Sequence, residues 1–228
     1  MFTLFSIQLT STFLIARLRA SRRGAINSGK NVTAKNYSDF LEFSEPEDLT
    51  NFYFYKQALS DQQIGVVEKL SESLKDERGT AGGETNDSYR SSRIRWIHYG
   101  NDSHWLYETL GTMAATANRA LWNFNIAAMT ESIQFGEYHA TENGHYDWHL
   151  DIGAGSFKRK ISIVVQLTDP AEYEGGDLEL LFGRSPQRVE RGKGNVTVFP
   201  SYVLHRVTPV TKGIRRSLVI WVSGEPFR

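Results

Sequence analysis

The sequence predicts a mainly β (α+β) domain, with helices packed on the outside of a C-terminal β-sandwich, jelly roll or barrel. Three observations carry this expectation. From about residue 130 the chain breaks into short β-rich runs: "SIQFGEY", "HYDWHLD", "ISIVVQL", "LELLF", "NVTVFP", "VLHRVTPV" and "SLVIWVSG". The stretches between them, "TENG", "IGAGSFK", "EYEGG", "RGKG" and "VTKGI", are rich in turn formers. Strands this short and this regularly punctuated build sandwiches and barrels rather than βαβ units. Upstream, two segments instead space their apolar residues by three and four, the mark of a helix with one buried face.

In chain order, the first 45 residues stand apart. From Met1 to Ser38 there are six basic residues (Arg17, Arg19, Arg22, Arg23, Lys30 and Lys35) and no acid before Asp39. The opening "MFTLFSIQLTSTFLIA" is too short and too polar for a membrane span. Its positive charges follow the apolar part, the reverse of a secretory signal, whereas organellar transit peptides are Arg-rich and acid-poor. Residues 1–45 are read as an extension, either a disordered tail or a targeting segment over 1–38, and residues 46–228 as a single domain. Phe52–Tyr55 reads as a strand. Ser60-x-x-Gln63 has the form of a capping box, and Ile64, Val67, Leu70 and Leu74 follow on one helical face. Residues 78–92, "RGTAGGETNDSYRSS", form a flexible loop by composition. "RIRWIHY" alternates as a strand does, and a second helix starts at about 103 with Leu106, Leu110, Met113, Ala117 and Leu121 inward.

Composition removes several function classes. Lys plus Arg equals Asp plus Glu at 26 each, so the formal net charge is zero. Non-specific nucleic-acid binding needs a basic field, and no nucleic-acid partner is expected. There is no cysteine, which excludes disulfides, thiolate metal sites and a thiol nucleophile. Any metal must be held by His and carboxylates, ligands suited to Fe(II), Mn or Zn.

The stretch His145-Tyr-Asp-Trp-His-Leu-Asp151 contains His-x-Asp twice. In an ideal strand His145, Asp147, His149 and Asp151 would share one face and Tyr146 the other. Further along, His205 lies 54 residues after Asp151, far enough for an antiparallel chain to return beside its earlier strand. Two histidines and one carboxylate on one side of a metal leave the other positions open, as non-haem Fe(II) oxygenases require. Ten residues after His205 comes Arg215, in the otherwise apolar "RRSLVIWVSG". A guanidinium there is costly unless a carboxylate pairs with it, and a dicarboxylic co-substrate offers one in bidentate form. Val219 and Trp221, on the face of Arg215, are expected to line that pocket, and Arg216 to face solvent or an acid. His98, His104 and His139 lack partners at ligand spacing and read as structural.

Together "GHYDWHLD", "GGDLEL" and "VFPSYVLHRVTPVTKGIRRSLVIW" resemble the 2-oxoglutarate- and Fe(II)-dependent oxygenases of the prolyl 4-hydroxylase type. The resemblance is closest over about 130–224 and looser back to about 52. It implies a double-stranded β-helix (jelly-roll, cupin-like) core over about 130–224 with flanking N-terminal helices. It also implies that His149, Asp151 and His205 bind Fe(II) and that Arg215 binds the distal carboxylate of 2-oxoglutarate. Tyr138 would donate its hydroxyl to the co-substrate, and Tyr146, with Gly144 before it, also falls on a family position. Gln166 stands where some members carry a co-substrate-binding tyrosine. Choosing His149-x-Asp151 over His145-x-Asp147 keeps both tyrosines in register. It leaves His145 and Asp147 as supports, pocket rim or solvated residues, and it requires the strand to bulge before His149 if Tyr146 is to reach the pocket.

The implied reaction consumes 2-oxoglutarate and O₂, releases succinate and CO₂, and hydroxylates an unactivated C–H bond, with ascorbate as an additional reductant. Asp151 occupies the position a halide would need, which favours hydroxylation over halogenation. Kinship points to a prolyl residue in a peptide or protein, contacted by the 78–92 loop and "RIRWI". A free amino acid or another small metabolite is the alternative, and a non-catalytic cupin-like binding module a further one. Related nucleic-acid oxygenases carry a second Arg six residues after the first, where this chain has Trp221. The expected compartment is the cytoplasm, or an organelle if residues 1–38 target it.

Overall fold

The computed structural model describes residues 51–80, 83–153 and 158–226, so the expectations for residues 1–45 lie outside the described residues. In order, the elements are β1 (Tyr53–Tyr55), α1 (Asp61–Glu72), β2 (Glu77–Arg78), β3 (Arg90–Ser91), β4 (Arg93–Ile97), α2 (His104–Leu121), β5 (Ile126–Ala128) and β6 (Ile133–His139). There follow β7 (His145–His149), β8 (Arg159–Gln166), β9 (Tyr173–Gly175), β10 (Leu178–Leu181), β11 (Gln187–Arg188), β12 (Val196–Pro200), β13 (Leu204–Val207) and β14 (Val210–Gly224).

Two sheets face each other. The larger runs β1-β12-β8-β14-β6-β4-β2, with β5 and β9 also paired to β14, and the smaller runs β11-β10-β13-β7-β3. From β6 to β8 and again from β12 to β14 successive strands alternate between layers, and all the strand pairings are antiparallel. The 54-residue return to His205 is realised in the smaller sheet, where β13 lies directly beside β7.

Strand alternation sorts the larger sheet into two working faces. On its outer face Ile161, Ile163 and Val165 of β8, Leu218, Ile220 and Val222 of β14, and Ile133 and Phe135 of β6 pack beneath the helices. Ile64 and Val67 of α1 and Leu106, Leu110, Ala114 and Ala117 of α2 complete that core. Full burial of each large aliphatic side chain contributes about 1.5–3 kcal/mol, so this layer fixes the sheet from outside. On its inner face Ser162, Val164, Ser217 and Val219 turn toward the smaller sheet, where Leu178, Leu180, Phe199 and Val203 form a second, interlayer cluster with Val164.

The helices follow their sequence patterns with small differences. Ser60 caps α1 reciprocally: its hydroxyl accepts from the Gln63 N–H, and the Gln63 side chain accepts from the Ser60 N–H at 2.9 Å. Ser60→Ala is expected to cost about 1 kcal/mol, measured as a lower urea midpoint at unchanged slope. In α1 the third buried residue is Ser71 rather than Leu70, because its hydroxyl bonds back to the Glu68 carbonyl. In α2, Leu121 is 41% exposed, as the last residue of the helix, and Ala114 joins Leu106, Leu110 and Ala117 on the buried face. "VLHRVTPV" is not one strand: Thr208-Pro209 separates β13 from β14, which lets the chain change layers. The short strands β2, β3, β5, β9 and β11 carry no alternation long enough to read.

No helix among the described residues is long and apolar enough to cross a membrane.

Candidate metal and co-substrate site

β7 holds the ligand candidate His149, with Asp151 two residues beyond its end, and its irregularity decides what His149 faces. His149 pairs with His205 of β13, and Tyr146 pairs with Val207, so three steps along β7 match two along β13. Asp147 and Trp148 together oppose Arg206, a β-bulge that switches the parity of the strand. Tyr146 and His149 therefore both enter the space between the sheets, their rings stacked at 3.5 Å and 12°. The bulge is pinned from the neighbouring segment: the Tyr89 hydroxyl donates to the Trp148 carbonyl at 2.7 Å, and the Asp147 N–H donates to the Tyr89 carbonyl at 2.8 Å.

The four polar residues of this stretch consequently do not share a face. His145 contacts only the Asn143 and Ser88 carbonyls, at 2.7 and 3.2 Å. The Asp147 carboxylate caps the Trp148 N–H at 2.8 Å. Asp147 does support the site, through its backbone: its carbonyl lies 2.7 Å from His149 Nδ1. A carbonyl only accepts, so Nδ1 carries the proton and Nε2 is left with its lone pair. His205 has the same arrangement, with Nδ1 donating to the Val203 carbonyl at 2.9 Å.

Both free Nε2 atoms point at Asp151, His149 at 3.9 Å from Oδ1 and His205 at 3.5 Å from Oδ2. One ligand atom from each of the three residues lies within 4.8 Å of the others, and His149, Asp151 and His205 form the one such group among the described residues. Asp151 is oriented by the Ser162 hydroxyl, which donates to Oδ2 at 2.6 Å, and by its own N–H, which donates to the Ser201 carbonyl. Burial pushes the His149 imidazole down to about 3, with the neighbouring His205 acting in the same direction. Burial alone would raise the Asp151 carboxyl, but His205, His149 and the Ser162 hydroxyl hold it below the usual carboxylate range. At neutral pH His149 is therefore a neutral imidazole beside an ionised Asp151 carboxylate, toward which His205 Nε2 is also directed.

These residues sit in a cavity of about 470 Å³ between the sheets. Tyr138 and Tyr146, Arg215, Ser217, Val219 and Trp221 all line it. Burial pushes the Tyr146 phenol up to about 12, so it remains a neutral donor. Arg215 is 1% exposed and leans on the Tyr138 ring at 5.3 Å. One of its nitrogens donates to Ser217 Oγ at 3.3 Å, while Nε and Nη2 have no partner. The "GG" after Glu174 makes room for it: Gly176 has φ +63°, and a Cβ there would lie 2.9 Å from Arg215 Cδ. Gln166 does not line the cavity; it lies on the inner face of β8, opposite Ser217, with both amide atoms buried and unpaired. Arg216 faces outward and donates to Glu137 at 2.8 Å. His98 and His104 bond to the Ser132 and Tyr99 hydroxyls, and His139 faces Glu137.

Several contributors escape sequence reading. Ser162 was hidden inside an apolar run, although its alternation with Val164 marks the inner face. Arg90, in the polar loop, donates to Thr80, Ser92 and Gln134 and lies over the Tyr146 ring at 4.4 Å. Arg159 stacks on Trp221 at 3.6 Å, pairs with Glu131 and donates to the Asp151 carbonyl at 3.3 Å.

A sequence model of the 2OG-Fe(II) oxygenase superfamily matches residues 133–223, the span from β6 to the end of the cavity-lining part of β14. A PKHD-type hydroxylase of Pseudomonas fluorescens is 30% identical over 169 residues, covering 69% of this chain and 73% of that protein. The chain belongs to the 2OG-Fe(II) oxygenase superfamily. A PKHD-type hydroxylase of Teredinibacter turnerae is 36% identical to this oxygenase over 108 residues, 44% of the chain and 48% of that protein. The Pseudomonas protein apart, the oxygenase spans about half the length of the curated relatives it matches. Among solved structures, a Pseudomonas putida prolyl-4-hydroxylase matches with a TM-score of 0.60 at 20% identity, covering 77% of this chain and 93% of that one. A prolyl hydroxylase of Trichoplax adhaerens, in complex with a peptide fragment of the hypoxia inducible factor oxygen degradation domain, matches with a TM-score of 0.66 at 16% identity, covering 77% and 84%. At those identities the likeness is one of fold, the double-stranded β-helix expected from the sequence. Membership brings Fe(II), 2-oxoglutarate and O₂, and the oxygenase has groups that fit them: a buried two-His, one-carboxylate donor set and a buried guanidinium with unpaired nitrogens.

Proposed function

We propose that this oxygenase hydroxylates an unactivated C–H bond of a prolyl residue in a peptide or protein, converting 2-oxoglutarate and O₂ to succinate and CO₂. The observation that carries the reading is the His149–Asp151–His205 group on the wall of a cavity that also contains the incompletely paired Arg215. In this reading the three residues hold Fe(II), and Arg215 binds the distal carboxylate of 2-oxoglutarate, with Tyr138 and Tyr146 as further co-substrate contacts; Gln166, expected from the sequence to be another, lies outside the cavity lining. When bound, the metal supplies O₂ activation coupled to decarboxylation of the keto acid.

The chain's own residues do the rest. The Asp147 and Val203 carbonyls fix the two imidazoles in the tautomer that leaves Nε2 for the metal. Ser162 holds the carboxylate that completes the set. Val164, Leu178, Val219 and Trp221 line the same cavity and give it apolar walls. Thr80 and Gly83 of the 78–92 loop and Ile94 and Trp96 of β4 also line the cavity and are placed to contact a substrate. A peptide substrate is supported by the peptide-bound Trichoplax protein of this fold, and hydroxylation by the hydroxylase names of the sequence relatives. Residues 46–228 form the catalytic domain and residues 1–45 an extension; ascorbate serves as the additional reductant, and the site of action is the cytoplasm.

Succinate release across a panel of prolyl peptides, free amino acids and small 2-oxo-acid-related metabolites tests the substrate. The expected result is succinate formed in step with a prolyl peptide one oxygen atom heavier. Coupled turnover with a free amino acid or metabolite alone would move the assignment to the small-molecule alternative.

A further inference from the structure

Three guanidinium groups line the cavity, those of Arg90, Arg159 and Arg215, and Asp151 is the one carboxylate among the described lining residues. Arg159 is paired with Glu131, and Arg215 is assigned above to the co-substrate. Arg90 has neither arrangement. It is 6% exposed and donates to Ser92 Oγ at 2.9 Å, to the Thr80 carbonyl at 2.8 Å and to Gln134 Oε1 at 2.9 Å. All three acceptors are neutral, and among the described residues no carboxylate pairs with Arg90. A guanidinium has further N–H donors beyond these. Its face lies over the Tyr146 ring at 4.4 Å, and that ring stacks on His149 at 3.5 Å. The chain leaves room for the group: a Cβ on Gly79 would stand 2.5 Å from Arg90 Nε and 2.2 Å from Ser92 Oγ. A buried cation held only by neutral acceptors is costly until a counter-ion meets it.

We propose that Arg90 is a specificity-determining residue, selecting a substrate that carries a carboxylate within about two residues of the prolyl residue. The inference deepens the prolyl-peptide reading above and rests on it. With the metal and co-substrate of that reading in place, the dication and Arg215 are offset by Asp151 and the two carboxylates of 2-oxoglutarate. Glu131 neutralises Arg159. Arg90 is then the one lining guanidinium without a counter-ion among the described residues. In a wall of low dielectric its charge favours an anionic substrate over a neutral one, and its fork matches the two oxygens of a carboxylate. Ring spacings of 4.4 and 3.5 Å separate the guanidinium from the His149 imidazole, and an extended peptide advances about 3.3 Å per residue. The anion that meets Arg90 therefore belongs to a neighbour of the reacting residue. An Asp or Glu side chain and a chain-terminal carboxylate present the same group there. A peptide that lacks it leaves the guanidinium unpaired and is disfavoured for that reason.

The test uses short capped prolyl peptides and wild-type enzyme supplied with Fe(II) and 2-oxoglutarate. One Glu is placed in turn at each of the two positions on either side of the proline, against Gln at the same position. At one or more positions kcat/KM should be about tenfold or more higher for Glu, as expected for hydrogen bonds to a charged group, and chiefly through KM. A peptide ending in a free carboxylate at the same distance, compared with its amide, separates a chain terminus from a side chain as the source. In Arg90→Met the Glu-to-Gln ratio should fall to about one, while Arg90→Lys, which keeps the charge without the fork, should retain part of it. Each variant is scored against its own Gln peptide, so a general loss of activity leaves the ratio readable. Equal use of Glu, Gln, free-acid and amide peptides by the wild-type enzyme would overturn the inference and leave prolyl hydroxylation standing. A preference that survives in Arg90→Met would also sink it, by giving the recognition to another residue. Turnover of a free amino acid or metabolite, with no prolyl peptide hydroxylated, would remove the prolyl reading and this inference together.

Discussion

His149→Ala is expected to abolish 2-oxoglutarate turnover and to weaken Fe(II) binding by more than about a hundredfold, while His145→Ala changes both by less than about threefold. The asymmetry follows from the bulge in β7, which puts His149 into the cavity beside His205 and directs His145 to two backbone carbonyls. Loss of a residue that only supports a metal ligand typically costs 10–100-fold, so loss of a ligand must exceed that range, and loss of a residue outside the site should fall well below it. Anaerobic Fe(II) titration separates the two effects from substrate binding. Abolished iron binding in His145→Ala with an active His149→Ala would mean that the other His-x-Asp pair holds the metal.

Arg215→Met should produce two opposite changes. Affinity for 2-oxoglutarate is expected to fall on the order of 10²–10³-fold, the usual consequence of truncating one partner of a buried, hydrogen-bonded charge pair. The visible charge-transfer band that 2-oxoglutarate gives with Fe(II) under anaerobic conditions should be lost or need far more co-substrate. Stability without co-substrate should rise, because Arg215 is fully buried with two nitrogens unpaired. Replacing buried charge with well-packed apolar groups is often worth about 1–4 kcal/mol, and methionine keeps most of the volume between Tyr138 and Gly176. An unchanged band in Arg215→Met would remove the guanidinium from the co-substrate site. A fall in the melting temperature would mean that Arg215 serves the fold as well as the ligand.

The parts legible in the sequence were those with a period or a spacing. The runs in β6, β8, β12 and β14 alternate over enough residues to show a strand, and Ser60-x-x-Gln63 announces the start of α1. His149, Asp151, His205 and Arg215 were found together because chemistry requires all four and their separations fit a returning antiparallel chain. Ser162 escapes for the opposite reason. It looks like an ordinary strand residue until tertiary pairing brings it to Asp151. Arg90 and Tyr89 sit in a polar loop whose composition says only that it is not regular structure, and their hydrogen bonds to Thr80, Gln134 and Trp148 are set by the partner strand. Leu121 reads as inward because helical periodicity does not say where the helix ends.

The bulge at Asp147-Trp148 also sets a rule for engineering this scaffold. Deleting either residue would leave the sequence rich in the same ligand types and would regularise the strand. It would also rotate His145 and Tyr146 by one face relative to His149, separating the stacked Tyr146–His149 pair and displacing the carbonyl that orients His149 Nδ1. A metal-site graft that copies His149, Asp151 and His205 onto a regular hairpin would inherit the same fault. The transferable unit is the three side chains together with one extra residue of backbone and the Tyr89 hydroxyl that holds it in place.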